Sequence, residues 1–66
     1  MELTVNGAGR SVATDLSVAD LVSDIVAHPR GVAVAVNGEV VPRADWPARV
    51  LRDGDRVEVL TAAQGG

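Results

Sequence analysis

The chain has 66 residues, 47% of them apolar, and carries six Arg, no Lys and nine Asp plus Glu for a formal charge of −3. That size fits one small folded domain and excludes a multidomain enzyme with its own cofactor fold. With no Cys and a single His, a disulfide, a catalytic thiol and a thiolate or His-based metal cluster are excluded, and the acidic balance argues against nucleic acid as a partner.

Met1, Leu3 and Val5 alternate with Glu2 and Thr4, the pattern of a half-buried strand. Asn6-Gly7 then predicts a tight hairpin, with the return strand over residues 10–13. Ser17 opens a helix. Ser17-Val18-Ala19-Asp20 resembles a capping box with Asp in place of Glu, and Asp20 suits the positive end of the helix dipole. Val18, Leu21, Val22, Ile25 and Val26 form one apolar stripe, with Asp20 and Asp24 on the wet side. Leu16 is placed to staple onto Leu21, and Pro29 is expected to end the helix just past His28.

The run V-A-V-A-V at residues 32–36 suits a strand inside a sheet, with Val on one face and Ala on the other. Asn37-Gly38 predicts a second hairpin, whose return strand at residues 39–41 is stopped by Pro42. Residues 44–49, with Trp46 and Pro47 among them, read as a loop or one short helical turn. After apolar Val50 and Leu51, Asp53-Gly54-Asp55 makes a turn, and residues 56–61 form the last strand with Val57 and Val59 facing inward. The order β-β-α-β-β-β predicts a two-layer α+β sandwich over residues 1–61, one main helix on a mixed sheet of four to five strands. The ubiquitin-like β-grasp is the simplest fold with this order. Residues 62–66, Ala-Ala-Gln-Gly-Gly, are expected to be a flexible C-terminal tail. No apolar run approaches the roughly 18 residues of a membrane span and no leader-like segment is present, so a soluble, cytoplasmic protein without a membrane partner is expected.

The side chains offer little catalytic equipment. His28 lacks a nucleophile beside it and reads as a C-terminal helix residue favoured by the dipole. Asp53 and Asp55 are accounted for by turn chemistry, so no metal is expected. Trp46 reads either as a cap on the small core or as an exposed partner anchor, and Arg43 as a solvated charge or a contact for an acidic partner. The chain end is different. Gly65 and Gly66 make a slim peptide that accepts any φ/ψ, able to carry a terminal carboxylate into another protein's active site. A carboxylate is a poor electrophile. Adenylation by ATP supplies a leaving group, and a sulfur nucleophile can then leave a thiocarboxylate on Gly66. The absence of Lys and Cys removes internal groups that would capture the activated end. In the last strand, Glu58 and Leu60 have the opposite parity to Val57 and Val59, so Leu60 either faces outward as a docking anchor near the tail or is buried by strand curvature.

The sequence resembles the ThiS family of thiamine-biosynthesis sulfur carriers, within the ThiS/MoaD group of ubiquitin-like proteins. The resemblance covers essentially the whole chain. It rests on residues 35–46 (AVNGEVVPRADW), on residues 53–60 (DGDRVEVL) and on the terminal Gly65-Gly66. Residues 62–64 are less apolar than the family's tail. The resemblance implies that the chain is a protein co-substrate and not an enzyme. A ubiquitin-activating-like (ThiF-like) adenylyltransferase, holding ATP and Mg²⁺ itself, would adenylate Gly66, while the carrier binds no cofactor. Sulfur from a cysteine persulfide on a partner would replace AMP, and a ThiG-like thiazole synthase would take the sulfur into the thiazole ring. Gln64, Gly65, Leu60 and Glu58 are the expected partner contacts. Three alternatives remain at this point: a carrier for molybdopterin, cysteine or tRNA thiolation; a modifier joined to partner Lys; and an interaction module with an inert end.

Overall fold

The computed structural model describes residues 1–28 and 30–61, so the expected tail at 62–66 lies outside the described residues. Among the described residues, five strands and one helix follow in chain order: β1 (Glu2–Val5), β2 (Ala8–Ser11), α1 (Val18–Ile25), β3 (Val32–Val36), β4 (Glu39–Val41) and β5 (Arg56–Thr61), with a 3-10 turn at Arg43–Asp45 before β5. The strand order is β2-β1-β5-β3-β4. β5 lies at the centre, parallel to β1 and antiparallel to β3, while both hairpins are antiparallel. This is the α+β ubiquitin-like fold expected from the element order, with five strands in the sheet.

Both Asn-Gly pairs form the expected turns. Asn6 and Gly7 have φ of 52° and 84°, and Asn37 and Gly38 have 52° and 86°, so both central residues of each turn sit in the left-handed region that a type I′ hairpin needs. The first hairpin closes tighter than the sequence suggests. Ala8 pairs directly with Val5 and Gly9 with Thr4, which places β2 at Ala8–Ser11 and not at residues 10–13. Gly9 fits an extended edge strand there.

The helix begins as predicted. Ser17 Oγ accepts from the Asp20 N–H at 3.0 Å, and Asp20 Oδ2 accepts from the Ser17 N–H at 3.3 Å. The other free N–H groups of the first turn find acceptors too. Val18 donates to the Arg49 carbonyl at 2.9 Å and Ala19 to the Trp46 carbonyl at 3.2 Å, and the regular helical ladder starts with Leu21 donating to the Ser17 carbonyl at 3.0 Å. The segment before β5 therefore completes the helix N-terminus. The helix end differs from expectation. It stops at Ile25, and β-branched Val26 turns extended (φ −128°, ψ 123°) while its N–H still reaches the Val22 carbonyl. His28 is consequently exposed in the following loop, too far beyond the last helical residue for the dipole to act on it.

Val18, Leu21 and Val22 of α1 pack on Leu3, Val34, Val36, Val41, Val57 and Val59 of the sheet, with Trp46 and Leu51 closing the core and Leu16 partly buried against it. Trp46 is 5% exposed, and its Nε1–H donates to the Val41 carbonyl at 2.9 Å. That buried hydrogen bond settles the two readings of Trp46 in favour of the core. The Arg43 guanidinium lies over the ring, 5.4 Å from its centroid.

Candidate functional site

Alternation along β5 sorts its residues between two faces. Val57 and Val59 point into the core, while Arg56, Glu58 and Leu60 lie on the outer face. Leu60 is 66% exposed, so strand curvature does not bury it. Pairing sets its neighbours. Leu60 lies opposite Ala33, Glu58 opposite Ala35, and Ala35 opposite Val40 on β4. Val40 is 75% exposed. Ala33, Ala35, Val40, Leu60 and Glu58 thus rim a shallow depression of about 110 Å³. Two large apolar side chains stand over two small ones, beside one carboxylate. An exposed apolar cluster with a polar rim is what a protein partner recognises.

Of the expected site residues, the fold brings Leu60 and Glu58 onto this face. Gln64, Gly65 and Gly66 lie outside the described residues. Sequence reasoning missed Val40, Ala33 and Ala35. Parity held the signal for Val40: with Val41 facing the core, its neighbour must face out.

A second arrangement holds β5 in place. The Asn6 amide grips the strand at Val59, with Nδ2 donating to the Val59 carbonyl at 3.0 Å and Oδ1 accepting from the Val59 N–H at 2.8 Å. The Asn37 amide does a similar task at the start of the strand. Its Oδ1 accepts from the Arg56 N–H at 2.9 Å, and its Nδ2 donates to Asp55 Oδ1 at 2.9 Å. Both Asp carboxylates of the preceding turn serve the backbone. Asp55 Oδ2 accepts from the Arg52 N–H at 2.8 Å, and Asp53 Oδ1 accepts from the Glu2 N–H at 2.7 Å.

The ThiS family model matches residues 3–66. The chain belongs to the ThiS family. Within it, the crystal structure of the thiamine biosynthesis protein ThiS from Geobacter metallireducens superposes with a TM-score of 0.85 at 44% identity, covering 92% of this chain and 93% of that one. The sulfur carrier protein ThiS of Escherichia coli is 27% identical over 66 residues, the full length of both chains. A thiazole synthase from Paramagnetospirillum magneticum is 32% identical over 66 residues, and there the chain spans only 20% of the relative's length. The ThiS sheet is therefore reproduced at substantial identity, with Leu60, Val40 and Glu58 on its outer face.

Proposed function

We propose that this chain is a sulfur carrier for the thiazole ring of thiamine, a protein co-substrate whose reactive group is the C-terminal carboxylate of Gly66. The observation that carries this reading is the position of the exposed Leu60–Val40 cluster at the end of the central strand, six residues before Gly66. Enzymes that act on the terminus need a surface to hold while the peptide reaches their active sites, and the cluster supplies one next to the point of departure.

In the proposed sequence, a ThiF-like adenylyltransferase docks on the outer face and holds ATP and Mg²⁺. A carboxylate oxygen of Gly66 attacks the α-phosphorus, pyrophosphate leaves, and an acyl adenylate forms. The terminal sulfur of a cysteine persulfide on a partner then attacks the carbonyl carbon and AMP leaves. A thiol reduces the remaining S–S bond, freeing the thiocarboxylate. A ThiG-like thiazole synthase takes the sulfur, and the carrier returns with its carboxylate. The match to part of a polypeptide named thiazole synthase supports that acceptor over molybdopterin, cysteine or tRNA thiolation. Gln64 and Gly65 would line the enzyme channels, where a residue without Cβ just before the reacting group lets a partner backbone close on the peptide. The cytoplasm, with its ATP and reduced thiols, is the compartment proposed. Among the described residues no helix is long and apolar enough to cross a membrane.

The test is intact mass. Incubation with a ThiF-like adenylyltransferase, ATP and a persulfide donor should replace one oxygen by sulfur. Deletion of Gly66, or a C-terminal tag, should abolish the exchange. An unchanged mass with an enzyme that is active on another ThiS protein would overturn the proposal.

A further inference from the structure

Pairing of the central strand is lopsided at its exit. On one side the ladder with β3 runs to the last described residue, Val32 opposite Thr61. On the other, the ladder with β1 stops at Val5 opposite Val57, because the chain turns away at Asn6-Gly7. Beyond that point the β1 side of β5 borders an open cleft of about 390 Å³, whose lining includes Asn6, Arg10, Ile25, Val59 and Thr61. The Asn6 amide takes over where the main chain leaves, matching both backbone groups of Val59 with the donor and acceptor of one side chain. The turn itself does not require this. Glycine would accept the φ of 52° without steric cost, so the two bonds to Val59 are a use of the amide beyond the turn geometry.

We propose that Asn6 is a positioning residue for the reactive terminus: its two hydrogen bonds to Val59 stop the end of β5 from pivoting on its β3 side, and so aim the peptide that carries Gly66. The inference rests on the sulfur-carrier reading above. Ordering a segment before it meets an enzyme removes part of the entropy cost of the encounter, and a reacting group held on line reacts faster. Asn37 provides an internal control. It occupies the same turn position and also bonds the β5 backbone, but at the entry of the strand, far from the departing peptide.

Asn6→Gly and Asn37→Gly keep both turns and remove one amide each. In thiocarboxylate formation with adenylyltransferase, ATP and persulfide donor, Asn6→Gly should lower kcat by roughly tenfold and change KM for the carrier by less than about twofold, since the docking cluster stays in place. Asn37→Gly should leave kcat unchanged while losing thermal stability comparable to that of Asn6→Gly. Hydrogen exchange on the isolated chain should show the Val59 amide exchanging about fivefold faster or more in Asn6→Gly, the factor that one net hydrogen bond represents. An unchanged kcat for Asn6→Gly beside a reactive wild type would overturn the positioning role alone. An equal fall in both variants, or unaltered Val59 exchange, would do the same. A wild-type chain that takes no sulfur from a competent enzyme system would overturn the carrier reading and this inference together.

Discussion

The two faces of strand β5 share a sequence and differ in use. Val57 and Val59 are 0% and 7% exposed, and they join the sheet to Leu21 and Val22 of the helix; Leu60, one residue further on, is 66% exposed in a cluster with small alanines, Val40 and Glu58. A strand of period two can therefore spend one face on stability and the other on recognition, and the same kind of substitution should have opposite consequences on the two. Val57→Asp puts an unpaired carboxylate into the core and should unfold the chain, read as loss of the cooperative urea transition by circular dichroism. Trp46→Ala removes the ring that closes the same core and should cost about 3–5 kcal/mol in urea titration. Leu60→Asp should change stability by less than about 0.5 kcal/mol. The same substitution should weaken adenylyltransferase binding by about 2 kcal/mol in titration calorimetry, the size of an anchor residue's share. Loss of the fold in Leu60→Asp would erase the contrast. A loss smaller than that of partner binding in Leu60→Asp belongs to the N-cap of the helix: Ser17→Ala should cost about 1 kcal/mol of stability, with partner binding retained.

Features written in adjacent residues were legible. The two Asn-Gly turns, the Ser17 capping box and the alternation of residues 56–61 each state their geometry within a few positions, and the five-strand sheet with one helix follows from their order. Features written across the chain were not. Nothing near residue 6 announces that its amide will meet Val59, 53 positions away. The central place of β5 depends on a parallel pairing with β1 that only the closed sheet reveals. Leu60 could be assigned to the outer face by parity, yet its exposure depended on curvature that local pattern does not set. Val40 sits in a three-residue return strand, too short for alternation alone to mark its outward face. Pro29 is the local stop signal in the sequence, yet the helix ends three residues before it, where the backbone of Val26 turns extended. Gly65 and Gly66 were singled out by sequence alone, and they lie beyond the described residues.

Because β5 is the middle of the sheet and the last strand among the described residues, a ribosome making this protein exposes both hairpins before the piece that unites them. Until residues 56–61 emerge, β1 and β3 have an unfilled slot between them, and the helix is held from only part of the sheet. The contacts that finish the domain join opposite ends of the polypeptide, an arrangement that slows folding relative to one built from neighbours. Completion of the body thus waits for the strand that precedes the proposed reactive end: β5 is the keystone of the sheet, so a half-made chain lacks both the closed core and the outer face that Leu60 shares with Val40.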